Sequence, residues 1–285
     1  MTKKIIFAII IILILSFYYF YEKNDKLLNL VFIDVGQGDA ILIKSANGKN
    51  ILIDGGPDSD LVEKISKFIA YRNNKIDLII ITHPHRDHYY GLISVIKKYK
   101  TQKIIYSGID INLADYNYMK KIINDYNLEL IKPKLGDEYK IDEDLYFQIT
   151  YMPKTKTVEN LNDASVSIKL TYKNFHAIFN GDSSCEIENI ILKDNTNLKS
   201  KIFKASHHGS KYSNCDNLLN AIKPEITIIQ SGVDNKFDHP HQEAVDRIKK
   251  SGSKILRNDE LGNIIIKSNG ENYEIEYKNW LFALF

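Results

Sequence analysis

The sequence is poor in residues that cross-link or interrupt a chain, with two cysteines, six prolines and fourteen glycines among 285 residues. So few cysteines exclude a small disulfide-rich scaffold, and so little glycine excludes a collagen-like fibre. With 44% hydrophobic and 26% charged residues, the chain also lacks the composition of an intrinsically disordered protein. It is long enough to bury a sizeable core. No Ser/Gly/Pro-rich linker divides it.

An excess of one charge sign is also missing from most of the chain. The formal net charge is +2, and Lys3 and Lys4 are the only charged residues among the first 21. The remainder therefore has no net charge, which excludes a chain-wide basic field for nucleic acid or anionic lipid. Two local basic runs are candidate DNA-tracking surfaces or ordinary solvated faces: Lys97, Lys98, Lys100 and Lys103, and Lys201, Lys204 and Lys211.

One long apolar run lies at the amino terminus. Ile5 to Tyr21 contains no charged residue, and a helix of that length spans about 26 Å, close to the roughly 30 Å core of a bilayer. Lysines before the run and mixed charges after it favour an amino end inside the cell and the bulk of the chain outside. We therefore predict a single-pass membrane anchor in residues 1–25 and an extracytoplasmic folded domain in residues 26–285. The alternatives are a buried core helix and a cleaved signal peptide, which would yield a secreted protein.

The two cysteines leave two possibilities open. In an oxidising compartment, Cys185 and Cys215 have one internal pairing available, because no third cysteine competes. The alternative is that both remain partly buried free thiols. The sequence alone does not decide between these states.

Beyond residue 29 the chain alternates short Val/Ile-rich runs with turns and amphipathic stretches. The pattern predicts strands near 30–34, 40–44, 50–53, 77–82, 103–106, 146–151, 166–172, 176–180, 202–205, 225–230, 264–267 and 273–277. It predicts helices near 59–71, 91–99, 112–127, 186–192, 214–221 and 242–250. This order favours an α/β sandwich of sheets flanked by helices.

Residues that bind metals follow the ends of these strands. The segment Thr82-His83-Pro84-His85-Arg86-Asp87-His88 comes directly after a buried strand. Imidazole and carboxylate groups suit Zn²⁺ and related divalent ions, and a loop leaving a buried strand aims such short ligands inward. The alternative is a solvated turn that happens to be polar. Asp182 follows a second apolar strand, and His207 and His208 follow a third.

Together these segments predict a dinuclear metal site. His83 and His85 are assigned to the first ion, and Asp182 to a bridging position. The second ion is assigned to Asp87, His88 and His207. Two ions about 3.5–4 Å apart would hold a hydroxide nucleophile and polarise a phosphoryl or carbonyl oxygen.

These motifs resemble the metallo-β-lactamase superfamily. His-x-His-x-Asp-His at 83–88 follows Ile51-Leu-Ile-Asp54-Gly-Gly, with Asp182 and His207 downstream. Within that superfamily, the segments 32–40, 162–166, 179–182 and 207–210 resemble the extracellular hydrolase domain of the ComEC/Rec2 competence proteins. The likeness covers about residues 28–280 and leaves out their multi-spanning channel region. It implies a four-layer αββα sandwich, preceded here by one transmembrane helix, with the metals at one edge between two β-sheets.

The chain departs from the superfamily at the first ion. Many members place a third histidine there, but no histidine lies between His88 and His176. Asp163 or a water fills that position, or the site is weak and takes Mn²⁺ or stays empty; the metals are thus two divalent ions, Zn or Mn. The resemblance makes His239 a candidate to contact phosphate or assist the leaving group, against a plain helix-start role. His208 faces either substrate or the core.

The resemblance implies a metal-dependent hydrolase, and competence-type relatives favour a nuclease or phosphodiesterase that acts on DNA. In that reading Asp87 orients the attacking water, while His239 or His208 steadies the phosphate. One alternative is a hydrolase of a small ester, lactone or cell-envelope substrate at the same site. Another is a membrane-tethered binding module whose metals are structural. No nucleotide cofactor is expected, and the oligomeric state is left open.

Overall fold

The structure, a computed structural model, describes residues 2–24, 27–69, 73–155 and 157–277. Within these ranges, helices α1 to α9 span Thr2–Asn24, Leu61–Ser66, Arg86–Tyr89, Leu92–Lys98, Ala114–Asp125, Cys185–Asp194, Asp216–Ile222, Gln242–Lys250 and Asn258–Leu261. Strands β1 to β17 span Leu28–Phe32, Ile41–Lys44, Asn50–Ile53, Lys75–Ile76, Leu78–Ile81, Lys100–Thr101, Lys103–Tyr106, Glu129–Ile131, Glu138–Lys140, Leu145–Tyr151, Ser167–Tyr172, Phe175–Phe179, Ile202–Lys204, Ile226–Ile229, Lys254–Arg257, Ile264–Ser268 and Tyr273–Tyr277.

Most strands form two mixed sheets. The first has the order β17-β16-β1-β2-β3-β5-β7-β8, and the second has the order β15-β14-β13-β12-β11-β10-β9. In each sheet one half is antiparallel, while β3, β5, β7 and β8 in the first and β12 to β15 in the second run parallel. Carboxyl ends of parallel strands meet at one edge of a sheet, which is where α/β proteins place their ligands.

The two sheets face each other across an apolar core that includes Phe32, Phe147 and Phe179. Residues on the outer face of the first sheet pack with α2, α4 and α5, and those of the second sheet pack with α6, α7 and α8. Strands buried on both faces read as continuous apolar runs, which explains why β5 contains only Leu78-Ile-Ile-Ile81. The layers are therefore α/β/β/α, as the sequence predicts.

The structure corrects several element boundaries. The helix predicted near 59–71 is α2, which ends at Ser66 and continues only as turns to Ile69, with residues 70–72 outside the described ranges. The edge strands β8 and β9 and the strand β15 were not predicted. Strands of three or four residues with exposed polar positions carry too little alternation to be recognised from the pattern alone.

Helix α1 spans Thr2–Asn24, and the side chains of its central residues, Ile5 to Ser16, are exposed. In the part of the chain that the structure describes, no helix combines the length and apolarity needed to cross a membrane. The single-pass anchor stays a prediction. Residues 278–285, at the end of the predicted folded domain, lie outside the described residues.

The two cysteines form a disulfide. It joins Cys185, the first residue of α6, to Cys215, which precedes α7, across 30 residues of chain and a Cα–Cα distance of 5.7 Å. A cross-link of this span stabilises a fold mainly by restricting the unfolded chain. It also closes the segment that contains His207 and His208, and so ties that segment to the second sheet's outer helices.

Candidate metal centre

The candidate metal ligands that the sequence singles out, and Asp54 of the same motif, lie where strands of both sheets end. Asp54 follows β3 and His83 follows β5 in the first sheet, while Asp182 follows β12 and His208 follows β13 in the second. Gly38 lets the turn after β1 approach closely, because a Cβ atom on it would collide with the Asp87 carbonyl oxygen. The site therefore occupies the edge at which the two sheets meet.

One group of ligand atoms belongs to His83, His85 and Asp182. His83 Nε2 lies 2.9 Å from His85 Nδ1 and 3.7 Å from Asp182 Oδ2. His83 is fully buried, and Thr82 Oγ1 lies 3.1 Å from its other ring nitrogen. These atoms form the first of two neighbouring groups, and they are the candidate ligands of the first ion.

A second group of ligand atoms lies around the same Asp182 oxygen. Asp182 Oδ2 lies 3.3 Å from His88 Nε2 and 3.4 Å from His208 Nε2. Asp87 Oδ2 lies 3.5 Å from His208 Nε2 and 3.9 Å from His88 Nε2. Asp182 thus lies between the two groups, which is the position that a bridging carboxylate requires.

The two histidines of the second group are held by hydrogen bonds from their far ring nitrogens. His88 Nδ1 donates to Asp54 Oδ2 at 2.8 Å, and Thr82 donates to the same carboxylate from its backbone and hydroxyl groups. His208 Nδ1 donates to the Gln230 carbonyl oxygen at 2.9 Å. Such bonds fix the ring orientation and leave Nε2 free as a ligand.

The donor set fits a pair of divalent cations. His88 Nε2, His208 Nε2 and Asp182 Oδ1 are buried atoms without a hydrogen-bond partner. Burial alone would raise the pKa of Asp182, but the imidazoles of His208 and His88 hold it well below its usual range. Burial would likewise lower the pKa of His88, whereas Asp182 and Asp54 raise it well above its ordinary value. The carboxylates thus favour a positive charge in the pocket, and the ligand atoms around it suit Zn²⁺ or Mn²⁺.

The structure distinguishes between the two adjacent histidines. The sequence predicts that His208 faces substrate or the core, and the structure places it against Asp87. The sequence assigns His207 to the second ion, but His207 lies farther than His208 from Asp182. His207 Nε2 is 3.9 Å from Asp182 Oδ2, and the His207 ring is 5.2 Å from the His239 ring. Both residues adopt left-handed backbone conformations, with φ of 50° and 54°. This local twist turns His208 inward and leaves His207 partly exposed.

A hydrogen-bond network fixes that twisted segment. Asn214 binds the backbone of Ser206 in both directions, accepting from its N–H at 2.8 Å and donating to its carbonyl oxygen at 2.9 Å. The backbone N–H groups of Asn214 and Cys215 donate to the Glu188 carboxylate, each at 2.8 Å. Burial raises the pKa of Glu188 to about 7. The disulfide and this carboxyl group therefore fix the position of the segment that contains His207 and His208.

Asp163, the residue proposed for the missing first-ion ligand, is turned elsewhere. Its Oδ1 atom accepts a hydrogen bond from Ser184 Oγ at 2.7 Å, and its carbonyl oxygen accepts from Tyr151. Among the described residues, Asp163 belongs to none of the groups whose ligand atoms all lie within 4.8 Å of one another; His85 belongs to none of them either, but its Nδ1 atom lies 2.9 Å from His83 Nε2. The carboxylate of Asp163 caps the turn ahead of α6 instead.

Lys204 is a part of the site that the sequence reading missed. It belongs to a run of lysines for which the sequence predicts either a DNA-tracking surface or a solvated face, but it is 1% exposed and its Nζ atom forms an ion pair with buried Asp39. Asp39 Oδ1 in turn lies 3.3 Å from His208 Nδ1. The signal was present in the sequence: Lys204 stands in the apolar strand Ile202–Lys204, where a solvated lysine is out of place.

His239 lies at the mouth of the site and is 8% exposed. Its ring is 5.8 Å from that of Phe237, nearly parallel to it, and 6.0 Å from that of His208. Burial, together with the neighbouring His208 and His207, lowers the pKa of His239 to about 3. The side chain is therefore neutral at physiological pH, and Gln37 Nε2 lies 3.4 Å from its Nδ1 atom.

Two curated proteins are similar in sequence to most of this chain. ComE operon protein 3 of Bacillus subtilis is 25% identical over 249 residues, which are 81% of this chain and 32% of that protein. Recombination protein 2 of Haemophilus influenzae is 25% identical over 269 residues, which are 88% of this chain and 30% of that protein. The chain thus spans about a third of the length of these curated relatives.

The fold and the sequence profile agree with these matches. Zn²⁺-bound PqqB from Methylobacterium extorquens has a similar fold, with a TM-score of 0.52 at 8% identity over 80% of this chain and 97% of PqqB. The sequence profile of the metallo-beta-lactamase superfamily matches residues 33–232, and this range contains every residue of both ligand groups. This chain therefore belongs to the metallo-beta-lactamase superfamily and is a metal-dependent hydrolase of that fold.

Proposed function

We propose that the protein is a metal-dependent phosphodiesterase that cleaves DNA, with a preference for single strands, outside the cytoplasmic membrane. The observation that carries this proposal is a pair of exposed aromatic rings with adjacent lysines, Tyr212 with Lys211 and Phe237 with Lys236, on the loops that follow His208 and precede His239; these four residues are called the rim. Tyr212 is 67% exposed and Phe237 is 48% exposed. The name of one relative, Recombination protein 2, favours DNA as the substrate.

The rim is built on two loops that contact each other. His241 N donates to the Gly209 carbonyl oxygen at 3.0 Å, and Lys211 N donates to His241 Nδ1 at 3.2 Å. The ammonium groups lie beside the aromatic rings, Lys211 over Tyr212 and Lys236 over Phe237. Exposed rings stack on unpaired bases and cations track the phosphate backbone, which is how sequence-tolerant single-strand binding works.

Within this proposal, Asp87 and His239 have separate roles. When bound, divalent cations supply activation of water and polarisation of a phosphoryl oxygen. Burial alone would raise the pKa of Asp87, but His88 and His208 lower it below its ordinary value, so the carboxylate stays ionised and can accept from the attacking water. His239 receives a hydrogen bond from Gln37 at Nδ1, so its Nε2–H is free to donate to a phosphate oxygen.

The test uses the full-length protein in detergent with Mn²⁺ or Zn²⁺. We expect cleavage of end-labelled single-stranded DNA and of bis(4-nitrophenyl) phosphate, both abolished in the Asp87→Ala/Asp182→Ala double variant. The rim double variant Tyr212→Ala/Phe237→Ala should lower kcat/KM on single-stranded DNA by at least about 30-fold, since each of the two stacked bases contributes roughly 1–3 kcal/mol. Its rate on the small diester should not change.

Tyr126→Ala is the matched control for the rim. This tyrosine is 52% exposed and precedes the amino end of β8, whereas the site lies at the carboxyl ends of the parallel strands, so its removal should leave DNA cleavage unchanged. Intact DNA in the presence of two bound ions would overturn the nuclease proposal. An equal loss on DNA and on the small diester would contradict the stacking role of the rim.

The location outside the membrane is supported by two features. The disulfide Cys185–Cys215 is of a kind that persists in oxidising compartments, and α1 exposes the apolar side chains between Ile5 and Leu15. We expect both cysteines to resist alkylation in acid-quenched cells until a reductant is added. Immediate modification of both thiols in cells would indicate a reducing compartment and contradict this location.

A further inference from the structure

The first group of ligand atoms is smaller than the second. His83 Nε2, His85 Nδ1 and the shared Asp182 Oδ2 supply three ligand atoms, whereas the second group has two histidines and two carboxylates. A four-coordinate ion bound through three protein atoms depends on water for the remainder. An additional protein ligand on the side of His85 would make the two groups equal.

An oxygen with no hydrogen-bond partner lies on that side. Asn162 Oδ1 is buried and receives no hydrogen bond within the described chain. The Asn162 side chain lies beside the His85 imidazole. A buried carboxamide oxygen without a hydrogen bond is destabilising, so its position beside His85 suits a bound cation.

The backbone around Asn162 is fixed on several sides. It lies in the 3₁₀ turn Leu161–Ala164, which begins with its own N–H donating to Asn160 Oδ1 at 3.1 Å. Val166 N donates to the Thr82 carbonyl oxygen at 2.9 Å, and Asp182 N donates to Ser165 Oγ at 2.9 Å. The turn is therefore attached both to the strand end that precedes His83 and to the strand end that carries Asp182.

We propose that Asn162 Oδ1 is the third protein ligand of the ion held by His83 and His85, in the place of an imidazole. The inference rests on the dinuclear centre of the proposed function but not on DNA as its substrate. A carboxamide oxygen is a neutral, hard ligand, and oxygen ligands suit Mn²⁺ better than they suit Zn²⁺. The first ion site should therefore prefer Mn²⁺, while the histidine-rich second site accepts either metal.

The test measures metal binding rather than hydrolysis. Full-length protein is dialysed against Mn²⁺, and bound metal is counted by mass spectrometry and by the paramagnetic resonance of the free ion. The wild type should bind two ions. Asn162→Ala should bind one at the same free concentration, with the weaker dissociation constant raised at least about 10-fold, the lower end of what loss of an outer-shell partner costs. Asp163→Ala is the matched control and should bind two.

A second variant separates a direct ligand from a residue that only orients His85. Asn162→His, loaded with Zn²⁺, should bind two ions more tightly than the wild type, and X-ray absorption should show one additional imidazole in the coordination shell. Full Mn²⁺ binding by folded Asn162→Ala would overturn the proposal. So would loss of an ion from Asp163→Ala alone, or an Asn162→His protein with no added imidazole. Failure to cleave DNA affects none of these readouts.

Discussion

Replacing Asp182 by asparagine is expected to reduce the bound metal from two ions to at most one. The Asp182 carboxylate lies within 3.3–3.9 Å of nitrogen atoms from four imidazoles, those of His83, His88, His207 and His208. Asparagine keeps the size of the side chain but removes the negative charge and presents an N–H₂ group to one ligand group. Hydrolysis should fall by more than about 100-fold, because disturbing even an outer-shell partner costs about 10- to 100-fold.

The measurement is metal content after dialysis, together with the rate on bis(4-nitrophenyl) phosphate. Asp34→Asn is the matched control. The Asp34 carboxylate accepts a hydrogen bond from Gly36 N in a turn near the site, which asparagine can also accept, so both readouts should stay at the wild-type level. Two tightly bound ions in Asp182→Asn would show that this carboxylate does not bridge the two groups.

Replacing Lys204 by methionine is expected to destabilise the folded protein by about 3–5 kcal/mol, the usual cost of removing one partner of a buried ion pair. Lys204 is 1% exposed, and its ammonium group faces the Asp39 carboxylate. Burial alone would raise the pKa of Asp39, but Lys204 and His208 lower it, so the carboxylate is ionised and needs a cation. Methionine fills a similar volume and leaves that charge without its partner.

Urea unfolding of the metal-free protein measures this effect. The double variant Lys204→Met/Asp39→Asn should regain most of the loss, because no uncompensated charge remains, and the double-mutant cycle gives the coupling between the two residues. Lys211→Met, a change at an exposed lysine of the same sequence run, should alter the free energy of unfolding by less than about 0.5 kcal/mol. A similarly small effect at Lys204 would contradict the buried pairing.

The sequence predicted the elements of the fold where residue patterns are strong. The apolar run at β5 and the amphipathic pattern of α8, Gln242–Lys250, are visible in a single segment because burial on both faces or on one face determines which residues are allowed. The three-residue edge strands β8 and β9 were missed because their residues are largely solvated. Their pairing depends on the neighbouring strand and not on their own composition.

The histidine cluster at 83–88 was predictable for the same local reason, since four ligands follow one buried strand. The roles of His207 and His208 were not predictable, because a left-handed backbone and the carbonyl oxygen of Gln230 decide which ring turns inward. Lys204 and Asp39 meet only when the two sheets pack. The sequence by itself determined which segments end at the site; the tertiary structure decided which side chains enter it, because their orientation depends on contacts between segments far apart in the chain.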